Sequence, residues 1–157
     1  MPHIHTMPGQ VDHTVEVFIV YKDKVLLRMH DKYKIWLSVG GHIELDEDPN
    51  KAAVREVKEE VGLKVKFFVA KKLPTFVEEN YEELIPPFFL NRHRISPTHE
   101  HVTYTYLATT ATDEVTPENV DDEWHWFAKR ELENAKGEIK DSIRQYALTA
   151  LEILGQP

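Results

Sequence analysis

An α/β fold, a mixed sheet between helices, follows from three observations on this chain. Residues 14–21 (Thr-Val-Glu-Val-Phe-Ile-Val-Tyr) and Val25 to Met29 are β-rich runs parted by Lys22-Asp23-Lys24, the pattern of a hairpin. Residues 49–61 carry helical periodicity between a start and a stop signal. The tail from Glu138 to Leu154 repeats Ile139, Ile143, Tyr146-Ala147, Ala150-Leu151 and Leu154 at helical spacing, which predicts a C-terminal helix over 138–154.

After the hairpin, a short strand around Ile35 to Val39 leads into the Gly40-Gly41 turn. Asp48 is placed to act as N-cap, and Pro49 occupies the first helical position, where a missing N–H costs nothing. Ala53, Val54, Val57 and Val61 recur as the expected buried stripe, and Gly62 ends the helix in the left-handed conformation. Leu63 to Ala70 returns as a strand. From Lys72 to Glu100 the pattern breaks, because Pro74, Pro86, Pro87 and Pro97 interrupt it and Glu78, Glu79, Glu82 and Glu83 mix with aromatics. A loop this long reads as functional, so a lid over 72–100 is expected, with a short helical turn near Glu79 to Leu84. His101 to Thr110 alternates as a strand with one wet face, and Glu123 to Ala128 is another. One helix after the central strands and one at the end fit an α/β/α sandwich, a single domain over 1–157.

Composition narrows the function. The chain has 157 residues, 41% of them hydrophobic, which suits one domain with a sizeable core. It has no apolar run long enough for a membrane, and its N-terminus lacks the cationic start and apolar stretch of a signal peptide, so the cytoplasm is the expected location. With no cysteine, disulfides and thiolate zinc sites are excluded. A formal net charge of -8 argues against affinity for nucleic-acid backbone. A protein this acidic that handles a polyphosphate needs metal ions and a few placed cations to offset repulsion.

The most informative segment runs from Gly41 to Leu63. Positions three and four apart share a helix face, so Glu56, Glu59 and Glu60 project together within one turn. Three like charges this close repel unless a cation sits among them, and crowded hard oxygen ligands suit Mg2+ or Mn2+. Gly41, Glu47, Arg55, Glu56, Val57, Glu59, Glu60, Gly62 and Leu63 stand at a fixed spacing: a glycine, five residues, a glutamate, seven residues, then Arg-Glu-aliphatic-x-Glu-Glu-x-Gly-aliphatic. In this the chain resembles the Nudix (MutT-like) hydrolases, whose signature this is. The order of elements resembles that family's α/β/α fold across nearly the whole chain.

The resemblance implies a metal-dependent hydrolase that cleaves the pyrophosphate bond of a nucleoside diphosphate linked to another group. It implies that Glu56, Glu59 and Glu60 bind Mg2+ or Mn2+ with the backbone carbonyl of Gly40. Arg55 would orient a glutamate by a salt bridge, and Glu47 and Gly41 would support the site. The metal would bridge phosphate oxygens and lower the pKa of a water. Glu56 is the first candidate for general base, Glu100 the best outside the helix, and Glu79 and Glu82 follow. A basic residue at the position of Arg28 is common in the family, so Arg28 is a candidate for the phosphates, with Arg92, His93 and Arg94 behind it.

Other residues stay open. His3-x-His5 and His99-x-His101 place alternate histidines on one strand face, but a zinc site usually needs four ligands, so both pairs read as wet surface. His101, like His99, is alternatively a substrate contact. Trp36, Trp124 and Trp126 read as core or face residues. Where many family members have proline before the double glycine, this chain has Val39, which loosens inference to a substrate class. No signature marks a coenzyme A or diadenosine polyphosphate enzyme. A silent, nucleotide-binding sensor of the same fold is the alternative, although such domains commonly lose the metal glutamates retained here. The related isopentenyl diphosphate isomerases need a catalytic cysteine that is absent. Family habit and exposed strand edges make a homodimer plausible.

Overall fold

The computed structural model describes residues 7–157; His3 and His5 lie outside them. Its spine is β1 (Val11–Tyr21), a long strand whose residues are apolar on both faces. Alternation along a strand sends Val15, Val17 and Ile19 to one side and Phe18 and Val20 to the other. On one edge β1 runs parallel to β7 (His99–Thr110), from Val11 opposite Glu100 to Val20 opposite Thr109. The other edge is shared. β4 (Val39–His42) pairs antiparallel with residues 14–17, and β2 (Lys24–Met29) pairs antiparallel at Val20 and Tyr21. β3 (Trp36–Leu37) and β8 (Trp124–Ala128) extend the sheet beyond β2. β5 (Val65–Phe67) and β6 (Phe89–Ser96) pair with opposite ends of β7.

Helices cover both faces, because both faces are apolar. Helix α1 (Pro49–Val61) buries Ala52, Ala53, Val57 and Val61 against Val15, Val17, Ile19, Leu26, Val39 and Tyr106. On the opposite face, α2 (Lys129–Asn134) and α3 (Asp141–Leu154) bring Leu132, Ile143, Ala147, Ala150 and Leu151 onto Phe18, Val20, Leu27 and Leu107. Phe18 is fully buried, and truncating such a side chain to alanine costs about 3–5 kcal/mol. The layers therefore form the expected α/β/α sandwich.

The details depart from the sequence reading at several places. Gly40 and Gly41 form no turn but pair with β1 inside β4, and the strand expected over Leu63 to Ala70 is confined to Val65–Phe67. Val54 is 51% exposed rather than buried, because the stripe turns through Ala52, Ala53 and Glu56 and leaves Val54 beside the core contact. The expected loop over 72–100 is irregular only as far as Phe88; from Phe89 the chain forms β6, a hairpin arm on β7. Its Arg92, His93 and Arg94 are exposed, so the strand lacks the apolar alternation that would announce it. The helical turn expected near Glu79 is a tight turn closed by the Glu78–Tyr81 bridge, with Asn80 left-handed at φ 61°. Finally, α3 begins at Asp141, while Glu138 and Ile139 belong to the preceding turn.

Helix α2 was not anticipated, and its first turn shows why. The N-cap is Ala128, which offers no side-chain acceptor. Glu131 instead reaches back to accept the Ala128 N–H at 2.7 Å and meets His125 at 2.9 Å. These contacts hold the Glu131 carboxyl below its ordinary value, the backbone N–H foremost. A depressed carboxylate contributes stability above its unfolded pKa and loses it as pH falls through the folded value. Glu131→Ala should thus lower Tm at pH 7 by about 1–3 °C, and the gap from wild type should narrow as the pH falls below the carboxylate range in thermal unfolding.

Candidate active site

Helix α1 begins and ends as its capping residues require. Asp48 Oδ1 accepts the Lys51 N–H at 2.9 Å, Pro49 sits in the first turn, and Gly62 turns left-handed at φ 67°. The last carbonyls are met from outside the helix: Thr116 N–H donates to Val61 and Glu118 N–H to Glu60. The loop between β7 and β8 is thereby drawn to the C-terminal end of α1.

Arg55 organises the carboxylates. Its Nε donates to Glu47 Oε2 at 3.0 Å and its Nη2 to Glu47 Oε1 at 2.6 Å. Nη1 meets Glu56 Oε1 at 2.7 Å and Glu59 Oε2 at 3.2 Å, and Nη2 also donates to the His42 carbonyl at 2.9 Å. Chiefly through this Arg55 contact, Glu47 is held below the ordinary carboxylate value. Arg55 itself is raised further above its usual value, by Glu47 first.

Glu60 sits on the other side of the group. One oxygen accepts the Gly40 N–H at 3.0 Å, and the other meets Arg28 at 2.6 Å. Arg28 also lies 3.6 Å from Asp122, which the sequence reading did not single out. Burial pushes the Glu60 carboxyl up to about 7 despite the opposing charge of Arg28. Glu56 is likewise buried, at 4% exposure, directly under Gly41: a Cβ there would strike the Glu56 carboxylate.

Glu56, Glu59, Glu60, Gly40, Gly41, Glu47 and Arg55 therefore come together, and Arg28 with them. Carboxylates outnumber guanidinium groups in this space, so charge and donor type fit a divalent cation held by oxygen. A cleft of about 730 Å³ opens above them, bordered also by His30, Lys58 and Pro117. A second hollow of about 750 Å³ adjoins it across Arg55, Lys58 and Glu59, with Val54, Phe67 and Ile85 as its apolar wall. Asn50 fixes that wall, because its side chain donates to the Ile85 carbonyl and the Tyr106 hydroxyl and accepts the Ile85 N–H.

The structure does not bring every sequence candidate here. Glu100 pairs with Arg94 at 3.2 Å on the β6–β7 hairpin, and His101 lies against Asp12, His42 and His99; neither lines the two hollows. Arg92, His93 and Arg94 stand on β6. Trp36 packs on Phe127, and Trp126 on Tyr21. Lys58 was overlooked although it stands three residues beyond Arg55, a spacing that shares its face. Asp122 carried no such signal, since only tertiary folding brings it to Arg28.

The double glycine yields a test that separates packing from chemistry. A Cβ on Gly41 meets only the end of the flexible Glu56 side chain, whereas one on Gly40 meets the Val15 carbonyl oxygen and, at 2.8 Å, the Glu16 Cα. Gly41→Ala should weaken Mn2+ binding more than about 10-fold while Tm falls by only a few degrees. Gly40→Ala, which forces backbone apart, should cost about 1–3 kcal/mol, read as a Tm loss of roughly 3–10 °C. Calorimetric metal titration and thermal unfolding of both variants check this.

Comparisons with known proteins establish the family. The family model described as NUDIX domain matches residues 12–147. The chain is 32% identical over 127 residues to a protein of Lactococcus lactis subsp. cremoris named as a probable DHNTP pyrophosphohydrolase, covering 80% of this chain and 68% of that one. A crystal structure of a NUDIX-family hydrolase from Clostridium perfringens superposes with a TM-score of 0.78 at 38% identity, over 91% of this chain and 97% of that chain. A MutT NUDIX hydrolase from Burkholderia pseudomallei shares the fold, with a TM-score of 0.61 at 21% identity over 92% and 98%. On the fold, the signature residues and these relatives together, the chain belongs to the Nudix family and is a hydrolase acting on pyrophosphate bonds.

Proposed function

We propose that the chain is a divalent-metal-dependent pyrophosphohydrolase of a nucleotide or nucleotide derivative, with Mg2+ or Mn2+ as cofactor. The observation that supports it most is the gathering of Glu56 and Glu59 on Arg55 with Glu60 beside them on Arg28, open to a cleft and short of positive charge. In this reading Glu56, Glu59 and Glu60 would hold the metal with the Gly40 carbonyl, and the chemistry such an ion would supply there is charge neutralisation at phosphate and a lowered pKa for a water. Arg55 orients Glu56 and Glu59, and Glu47 fixes Arg55. Arg28 already serves Glu60, so it acts by positioning that carboxylate rather than by gripping phosphate. Lys58 is the better cation for the substrate, since it borders both hollows.

The apolar wall of Val54, Phe67 and Ile85 suits the planar ring of the substrate, with its phosphates directed over Arg55 and Lys58. The segment 68–88 acts as the lid over that ring, hinged where Asn50 grips Ile85. The printed name of the lactococcal relative makes DHNTP the first compound to try. The exposed Leu90 and Ile95 on the edge strand β6 support a homodimer.

Phosphate and pyrophosphate release with and without Mg2+, over DHNTP, nucleoside triphosphates, ADP-ribose and nucleotide sugars, tests the activity and identifies the substrate class. Glu60→Gln is nearly isosteric and keeps one of the two acceptor oxygens that meet the Gly40 N–H and Arg28, so it should stay folded with a modest loss of Tm while turnover falls about a hundredfold or more. Full turnover in that variant, or cleavage indifferent to chelation, would refute the assignment. Asn50→Ala should raise KM for the best substrate severalfold with a smaller effect on kcat, because it frees the wall without touching the carboxylates.

A further inference from the structure

On the face of the sheet away from α1, a second group of ligating side chains converges. Asp12, Thr14, Glu16 and Phe18 share one side of β1, and the parallel register sets Asp12 beside His101 and Thr14 beside Thr103. His42 enters from β4, opposite Thr14, and His99 lies two residues from His101 on the same side of β7. Three imidazoles thus close on one carboxylate. Asp12 Oδ2 lies 3.5 Å from His42 Nε2, 3.2 Å from His99 Nε2 and 3.9 Å from His101 Nε2, and the two β7 rings approach to 2.9 Å. All four ligand atoms fall within 4.8 Å of one another.

These separations match one geometry. A tetrahedral ion with bonds of about 2.0–2.1 Å keeps its ligand atoms about 3.3 Å apart, and the measured distances bracket that value. The Asp12 carboxylate is 1% exposed and the three rings are 16%, 26% and 17% exposed, so the group is enclosed without being sealed. The geometry points to a structural Zn2+ site formed by Asp12, His42, His99 and His101, separate from the carboxylate cleft. Four protein ligands leave no open position, as in structural rather than catalytic zinc sites. Imidazole donors select zinc over Mg2+, which prefers an all-oxygen shell. His93, whose ring centre is 5.5 Å from that of His101, is occupied by Asn91 at 2.9 Å and stands outside the four.

Cobalt reports the site directly, because tetrahedral Co2+ absorbs visible light far more strongly than Co2+ in a six-coordinate oxygen site. Chelator-treated wild type should take up one strongly absorbing Co2+ per chain, displaced by one equivalent of Zn2+. His99→Gln alters a ring at the hairpin rim and His101→Gln one further in; each should weaken Zn2+ binding more than about 10-fold with an unchanged circular dichroism spectrum. Glu60→Gln should leave the cobalt spectrum intact. Zn2+ should also raise the Tm of wild type and not of His99→Gln. A folded wild type without the tetrahedral bands, bands that persist in both histidine variants, or bands lost in Glu60→Gln would each overturn the zinc site.

Discussion

The cost of gathering negative charge on one helix face governs this molecule. Glu56 is buried and Glu60 largely so, and a desolvated carboxylate is stable only when paired or hydrogen-bonded. Arg55 meets that demand for Glu47, Glu56 and Glu59 at once, and Arg28 with the Gly40 N–H meets it for Glu60. The planar fork of a guanidinium can serve several carboxylates in fixed directions, which a lysine at position 55 could not do. What the two arginines leave unbalanced is the attraction for a further cation. In the proposed function, the same arrangement that keeps the helix seated would supply its chemistry.

β4 transmits this arrangement through the sheet. Its residues alternate between faces, so the missing side chain of Gly41 admits the Glu56 carboxylate on one side while the His42 ring joins Asp12 on the other. Its backbone takes part as well, with the Gly40 N–H on Glu60 and the His42 carbonyl under Arg55. Four residues thus tie the cleft to the opposite face. The two hollows flanking Arg55 divide the labour further, one polar and beside the carboxylates, the other walled by Val54, Phe67 and Ile85. Exposure of Val54, which would be a packing fault in an inert helix, is what gives the second hollow its apolar surface.

Much of this was legible in the sequence, for reasons that differ by element. The helix at 49–61 carries its caps in Asp48, Pro49 and Gly62, and its spacing alone puts Glu56, Glu59 and Glu60 together. The β1 and β2 runs announce themselves by β-branched residues. Elements held by long-range contacts were harder to see: β6 is an edge strand with polar, exposed residues, and α2 is capped by a glutamate reaching back to an alanine. The contacts of Arg28 with Glu60 and Asp122 could not be seen, because both partners lie far from it in the chain. Of the four clustered ligating residues the sequence offered only the His99-x-His101 pair, read as wet surface, because Asp12 and His42 come from two other strands that the β1–β7 and β1–β4 pairings bring beside it.

That pairing also bears on how the molecule comes to exist. The hydrogen bonds Thr14–Thr103 and Glu16–Thr105 each join residues 89 apart in sequence, so the central ladder closes a very large loop. Contacts of this range are slow to form, and they cannot form on a ribosome until most of the chain has emerged. The signature helix, by contrast, has its caps within residues 48–62. The 116–122 loop, which meets the last carbonyls of the helix and sets Asp122 beside Arg28, belongs to the later half of the protein. The acidic face is therefore finished by residues synthesised well after it.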